Sequence, residues 1–352
     1  FCPSCGGLEI ICGNTVYSYD PMTSSLLSQV SVASMYNEGT SSIADIDMDG
    51  DLDIISSVVN ADGTRHIYAW EGENITILHD MVVNQQSGTQ FYGSGVVTVA
   101  NFDSDRFPEF AVTVTRSFRG ECELLILDHD FTLLWKVKLD EVSQSVPVAF
   151  DFCKDDIDEL VLSTIDSLFI FDVGKKSVAA SIKCGSFTLY DRPLVLDIDG
   201  DGSAEIACDC LVNLSSVGKF TVIESSNASW ANSRKSVSQK TIVNNAYNDD
   251  LSIPKKRQDI SKLKYPKNLN SFNQSISLWN KLETNALALQ FNSSTCVNDS
   301  IELNFTICNK GLLFTGDIDI SLYNGSVFDP GSSLIQSRTI NLQSLAIGEC
   351  RS

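Results

Sequence analysis

One acidic phrase, returning four times after a short apolar run, limits what this chain can fold into. It reads Ala44-Asp45-Ile46-Asp47-Met48-Asp49-Gly50-Asp51-Leu52-Asp53 first, then Asn101-Phe102-Asp103-Ser104-Asp105 through Glu109. A degraded copy runs from Asp151 to Glu159, and Asp197-Ile198-Asp199-Gly200-Asp201-Gly202-Ser203-Ala204-Glu205 closes the series. The first positions, 45, 101, 151 and 197, are 56, 50 and 46 residues apart. A period of that size means a repeat architecture, in which each unit is one supersecondary block that needs its neighbours. Oxygen side chains at positions 1, 3, 5 and 9 of a tight loop can converge on one hard cation, and Ca2+ accepts several oxygens at flexible distances.

The segments around each phrase are short, apolar and β-branched. Residues 94–100 lead into the second copy; 110–115 and 123–127 follow it; 160–164 and 167–171 follow the third. This spacing predicts a meander of strand, acidic loop, strand, strand, strand, with no amphipathic helix before about residue 230. One four-stranded sheet per repeat, arranged radially, is a β-propeller blade. A half copy opens the chain: in Gly6-Gly7-Leu8-Glu9-Ile10-Ile11-Cys12, Glu9 aligns with Asp53, Glu109, Glu159 and Glu205. The first blade is therefore expected to lack its first strand, the place being filled by a later segment or another subunit.

Composition sets the compartment. The 352 residues are 43% hydrophobic and 20% charged, a globular balance with room for two domains. The formal net charge of −20 argues against nucleic acid, whose phosphates need a basic partner. No run of 18 apolar residues exists, so no membrane span is expected. The chain begins at Phe1 without a signal peptide, which reads as a processed chain or part of a longer one. Eight N-x-Ser/Thr sequons, at Asn74, Asn213, Asn227, Asn273, Asn292, Asn298, Asn304 and Asn324, predict a secreted glycoprotein carrying N-glycans. The cysteines agree: Cys2, Cys5, Cys12, Cys122, Cys153, Cys184, Cys208, Cys210, Cys296, Cys308 and Cys350 show no zinc spacing and are disulfide candidates of an oxidising compartment. Eleven is odd, so at least one thiol is free or bonds another chain.

Three regions are expected: a propeller over 1–225, an irregular wrapping segment over 226–291 that adds strands to the propeller, and a β-sandwich over 292–352. The middle stretch is rich in Asn, Ser and Lys; its Lys255-Lys256-Arg257 reads as a solvated loop or a processing site. In the last region residues 300–309 alternate apolar with polar, and Gly311, Gly316, Gly325 and Gly331 punctuate further strands at 317–323 and 333–340. One more strand would be expected beyond Cys350-Arg351-Ser352, leaving an open edge that invites pairing with another chain.

The acidic phrases resemble FG-GAP (VCBS) repeats of integrin-α-like propellers, over residues 1–225. The stretch from Trp230 through Asn248-Asp249-Asp250-Leu251-Ser252-Ile253-Pro254 to Asn270-Ser271-Phe272 resembles the segment following such propellers in secreted proteins. The last region resembles CARDB-type immunoglobulin-like modules through Ile307-Cys308-Asn309-Lys310-Gly311, Leu322-Tyr323-Asn324-Gly325 and Gly348-Glu349-Cys350. The resemblance implies two to three structural Ca2+ sites. Site one would use Asp45, Asp47, Asp49 and Asp53 with the carbonyl of Asp51; site two Asn101, Asp103, Asp105 and Glu109; site three Asp197, Asp199, Asp201 and Glu205 with the carbonyl of Ser203. Gly50 and Gly202 occupy the sharp turn, where site two has Arg106. Cys153 and Cys5 replace ligands in the other copies, so the Asp151 loop is expected to be an empty or weak site, with Cys153 in a disulfide, and the half copy to hold no calcium.

No catalytic constellation stands out. Three histidines lie outside any triad context, and the paired carboxylates that a glycoside hydrolase would need are absorbed by the repeat. The expectation is a non-enzymatic, extracellular calcium-binding protein. Either it is a subunit of a filament or coat that self-assembles through its ends by strand exchange or disulfides, or it is an adhesion or receptor ectodomain binding glycans or another protein on the propeller face.

Overall fold

The structure, a computed structural model, describes residues 8–20, 22–71, 75–84, 95–115, 122–141, 143, 145–186, 191–211, 218–226, 230–237, 270–275, 277, 287–298, 300–309, 314–324, 333–345 and 350–351. Among these the chain is all-β, without a helix. It divides into two units, Phe1–Ser277 and Leu278–Ser352.

The described residues of the larger unit form five antiparallel sheets, each following chain order. The first is β1 (Leu8–Cys12), β2 (Thr15–Asp20) and β3 (Ser25–Ser31). The second is β4 (Met35–Ala44), β5 (Asp53–Asn60), β6 (Arg65–Trp70) and β7 (Ile77–Asn84). The third is β8 (Thr98–Ala100), β9 (Glu109–Thr115), β10 (Cys122–Leu127) and β11 (Leu133–Leu139). The fourth is β12 (Val148–Phe150), β13 (Glu159–Ser163), β14 (Ser167–Asp172) and β15 (Ser177–Lys183). The fifth is β16 (Leu194–Leu196), β17 (Glu205–Cys210) and β18 (Lys219–Ile223).

Why the apolar runs are continuous follows from how these sheets pack. Along β10, Leu125 and Leu127 join Ile55, Ile67 and Ala69 of the second sheet, whereas Cys122, Leu124 and Ile126 join Leu160, Leu162 and Phe171 of the fourth. The second sheet likewise turns Ile54, Val58, Tyr68 and Trp70 toward Val16 of the first. A strand covered on both faces needs apolar residues at every position, not at alternate ones. The outer strands β3, β11 and β15 are correspondingly exposed along much of their length. The first strands are neighbours in order, β1 beside β4, β4 beside β8, β8 beside β12, and β12 beside β16.

A segment far along the chain ties these first strands together. Asn270 exchanges two hydrogen bonds with the backbone of Asp45, donating from Nδ2 (2.6 Å) and accepting at Oδ1 (2.8 Å). Phe272 pairs with Val99 of β8 through two backbone bonds of 2.9 Å. Ala149 of β12 donates to the Asn273 carbonyl and accepts from the Ser275 amide; the Ser275 hydroxyl donates to Val195 of β16. Four consecutive sheets are thus crossed within six residues, 270–275.

In the smaller unit β19 (Leu287–Val297), β20 (Ser300–Asn309) and β23 (Cys350–Arg351) form one sheet, and β21 (Phe314–Tyr323) pairs with β22 (Leu334–Leu345) in another. Among its described residues, Ile307 is buried and packed by Ile318, Ile320 and Ile340. A disulfide, Cys308–Cys350, fastens β23 to β20.

Several expectations need correction. The wrapping segment does not extend to 291, because β19 begins at Leu287. Cys153 forms no disulfide, and neither do Cys12, Cys208 and Cys296. At Cys153 partial burial, then the Glu159 carboxylate to which its thiol hydrogen-bonds, push the pKa up to about 12 and keep the sulfur protonated. Asn273 is fully buried, its Oδ1 accepting from Arg192 Nη1 (2.9 Å), so the folded chain has no room for a glycan there. The side chains of Asn292, Asn298, Asn304 and Asn324 are exposed. Asn74, Asn213, Asn227, Cys2, Cys5 and the Lys255-Lys256-Arg257 triplet lie outside the described residues.

Candidate metal centres

Every acidic phrase closes the same hairpin in the same register. The residue before position 1 pairs with position 9 in all four: Ala44 with Asp53, Ala100 with Glu109, Phe150 with Glu159, Leu196 with Glu205. One bond also recurs. The position-2 amide donates to the position-9 carboxylate, from Ile46 to Asp53 (2.8 Å), Phe102 to Glu109 (2.5 Å), Phe152 to Glu159 (2.8 Å) and Ile198 to Glu205 (2.6 Å). That bond fixes the last acid of the loop and leaves its second oxygen facing the loop interior.

Inside the loops, short Asp side chains shape the backbone by accepting from amides two residues on. Asp47 accepts from Asp49 and Asp49 from Asp51; Asp103 from Asp105 and Asp105 from Phe107; Asp199 from Asp201 and Asp201 from Ser203. Left-handed backbone appears at Met48 and Gly50 (φ 63° and 102°) and at Gly200 and Gly202 (83° and 92°). The second loop has no such residue, so Arg106 sits on a differently bent path from Gly50 and Gly202.

Three sets of carboxylates converge, each with oxygens within 4.8 Å of one another: Asp45, Asp47 and Asp53; Asp103, Asp105 and Glu109; Asp197, Asp199 and Glu205. Asp49 and Asp201 fall outside those sets and Asp51 is exposed. Asn101 contributes an amide oxygen beside the second set, where Nδ2 donates to the Asp156 carbonyl (2.5 Å). The decisive detail is which oxygens lack partners. Asp45 Oδ1, Asn101 Oδ1, Glu109 Oε1, Asp197 Oδ2 and Glu205 Oε1 are all buried without a hydrogen bond. They are the first and last positions of the loops, and an oxygen-only donor set of this kind fits a hard cation.

The degraded loop behaves differently. Asp151 turns its carboxylate onto the loop backbone, accepting from Lys154 (2.6 Å), Asp155 (3.1 Å) and Asp156 (3.2 Å). Both Asp151 oxygens thus accept loop amides, whereas Asp45 and Asp197, which accept from Gly50 and Gly200, each keep one buried oxygen without a partner; Lys154 and Asp156 are left-handed (φ 64° and 67°), as are the matching positions of the first and third loops.

Electrostatics follow geometry. Burial, then repulsion from Asp47, Asp45 and Asp49, raises Asp53 to about 7. Burial, then Asp103 and Asp105, raises Glu109 to about 8. Asp45 and Glu205 are raised too, by burial first. An ionised carboxylate buried among others is disfavoured unless a positive charge joins it.

The backbone entering each set is held from elsewhere in the chain. Asp45 N–H donates to Asn270, Asn101 N–H to Asp158 Oδ2 (3.2 Å), and Asp197 N–H to the Arg234 carbonyl (3.0 Å). Gln274 donates to the same Asp158 oxygen (2.5 Å), and burial pushes that carboxyl far above its ordinary range. These supporting residues escape the repeat pattern. One signal was present: position 8 is Leu52, Pro108 and Ala204 elsewhere, so an acid at 158 is out of place.

An all-β protein of several small stacked sheets with converging acidic hairpin loops is the class that fold and site define. Comparison with solved structures agrees on fold. The V. cholerae biofilm matrix protein Bap1 superposes with a TM-score of 0.55 over 78% of this chain and 70% of its own, at 15% sequence identity. A second structure, of BBS1N in complex with ARL6DN, covers 59% of each chain at a TM-score of 0.35 and 10% identity, too low to support any argument. No protein-family model matches the chain, and no curated protein does.

Proposed function

We propose that this chain is an extracellular structural or adhesive protein, whose larger unit is an FG-GAP-type β-propeller held together by calcium and whose smaller unit is an immunoglobulin-like sandwich. One observation carries the reading: three hairpin loops in identical register each bury an oxygen without a partner at the first position, Asp45, Asn101 and Asp197, and the second and third loops do so at the last position too, Glu109 and Glu205. Calcium held there by Asp45, Asp47 and Asp53, by Asn101, Asp103, Asp105 and Glu109, and by Asp197, Asp199 and Glu205 supplies the missing charge. The carboxylates are thereby assigned to the metal and none to catalysis. The likeness to Bap1 supports the fold, and that protein's description as a biofilm matrix protein is in keeping with a matrix role here. Two disulfides, Cys184–Cys210 and Cys308–Cys350, suit an oxidising compartment.

The test is metal content and stability together. Purified chain, dialysed against calcium and desalted, is expected to retain two to three calcium ions by elemental analysis. Each site filled at a hundredfold excess over its Kd adds about 2.7 kcal/mol, or a melting shift of about 5–10 °C. A melting temperature indifferent to chelation would sink the proposal. Assembly is tested separately: Cys12, Cys153 and Cys296 are exposed, and because the Cys153 thiol is held protonated against Glu159, Cys12 and Cys296 are the candidates for covalent linkage. Non-reducing electrophoresis is expected to show a ladder that collapses in the C12S/C296S chain; a single band for the native material would exclude linkage through them.

A further inference from the structure

Three buried cysteines meet where the fourth and fifth sheets join. Cys184 follows β15, and its disulfide partner Cys210 ends β17. Cys208 also lies on β17. Because the side chains of a strand alternate, Cys208 and Cys210 point to one face while Asp209 between them is exposed. The Cys208 sulfur stands 3.3 Å from that of Cys184 and 3.6 Å from that of Cys210. Cys208 carries no disulfide, and all three residues are buried.

The backbone explains the convergence. Leu211 N–H donates to the Gly185 carbonyl (2.8 Å) and Ser186 N–H to the Thr164 carbonyl (2.8 Å), drawing three chain segments together. Gly185 permits this, since a Cβ there would come within 2.2 Å of the Ile165 carbonyl oxygen. Cys184 is consequently held against β17 where either cysteine of that strand can reach it.

We propose that Cys184, Cys208 and Cys210 form a thiol–disulfide exchange site, in which the resident thiol of Cys208 displaces Cys210 from Cys184 and can be displaced in turn. Cys208 loses its proton and attacks Cys184 Sγ. The Cys208–Cys184 bond forms as the Cys184–Cys210 bond breaks, and Cys210 leaves as a thiolate that takes up a proton. Nothing is oxidised or reduced overall, and no outside thiol is consumed. Cys208 now lies beside the bond rather than in line with it, so the step begins with rotation of its side chain. Burial, then the Asp209 charge, holds the Cys208 thiol up at about 11, which keeps the exchange slow at neutral pH. The outcome is a clamp between two sheets with two settings, displaced by two strand residues, about 6.6 Å. Both settings leave one buried thiol.

The full-length chain tests this by acid-quenched alkylation and fragment mapping. In freshly folded protein the label is expected on Cys208. After incubation at pH 9 it should move in part to Cys210, the gain at one position matching the loss at the other. The rate should be unchanged on tenfold dilution. Label that stays on Cys208 overturns the proposal, as does a rate that falls tenfold with dilution, which would place the exchange between molecules. The C210S chain leaves Cys208 as the available partner and is expected to contain a Cys184–Cys208 disulfide. Label on both residues in a folded C210S chain would also overturn it. If C210S does not fold, the wild-type mapping decides alone.

Discussion

A carboxylate buried without a partner is unfavourable when ionised, and the loops collect several. Among the converging acids Asp53 and Glu109 are raised furthest, to about 7 and about 8, and in the degraded loop Glu159 is raised to about 7 and Asp158 well above its ordinary range. Folding the cation-free chain therefore takes up protons between the ordinary carboxylate range near 4 and those values. Its stability is full below the lower limit and is lost as pH rises through 7 and 8. In chelator the melting temperature is expected to fall from pH 5 to pH 8, and excess calcium should remove the part of that fall due to Asp53 and Glu109 while leaving the part due to Asp158 and Glu159; a calcium-induced shift that was larger at pH 5 than at pH 8 would contradict the assignment. Substitution separates the ligands from the scaffold. Glu205→Gln keeps the bond from the Ile198 amide but removes a charge, so bound calcium is expected to drop by one ion per chain while the metal-free chain melts no lower. Asp151→Asn is the control: its carboxylate is occupied by three backbone amides, so calcium content should not change, and stability should fall by about 1–3 kcal/mol. The convergence of acids in three loops was legible from side-chain type and spacing, although Asp49 and Asp201, expected beside them, fall outside the converging sets. The difference between a cation-ready loop and one closed on its own amides was partly legible, through Cys153. The orphaned oxygens were not, because they depend on where each acid's second oxygen points.

At the scale of elements, the four hairpins and their strands follow directly from apolar runs and turn residues, and β20 spans the 300–309 alternation. The crossing segment does not. Asn270 and Asn273 look like loop residues in the sequence, yet both are buried, Asn270 bonded to the Asp45 backbone and Asn273 to the Arg192 side chain, while half-buried Gln274 donates to the Asp158 carboxylate. Polarity signals exposure only when the polar group has no buried partner, and no local pattern reveals a partner 225 residues away. Asn270→Ala should leave the Asp45 amide and carbonyl unpaired in the interior, costing about 1–3 kcal/mol in denaturant melts. It should also weaken calcium at the first loop about 10- to 100-fold, the effect expected of a group that orients a ligand without touching the metal. Calcium affinity unchanged at that loop would mean that Asn270 is purely structural. Gly185→Ala is expected to do more damage than either, since the Ile165 carbonyl at 2.2 Å belongs to rigid backbone and cannot give way.

At the scale of the molecule, the expected boundary at 291 gives way to strand β19 starting at Leu287, while residues 270–277 group with the sheets that precede them. The alternation of residues 300–309 marked a strand of the second unit correctly, but nothing in the Asn- and Ser-rich stretch before it distinguishes a crossing segment from a linker. That segment also orders events in time. Each sheet is assembled from neighbouring strands, so all five can form as the chain emerges, by contacts that are short in sequence. Their shared seam cannot be completed until Asn270–Ser275 has been made, which is 47 residues after the last strand of the fifth sheet ends at Ile223, counting to Asn270. At ordinary rates of synthesis that interval is about 2–10 s. Throughout it the nascent chain would hold finished sheets with the backbone of Asp45, Val99 and Ala149 still unpaired, a window in which chaperones, or another copy's equivalent segment, could reach the seam first.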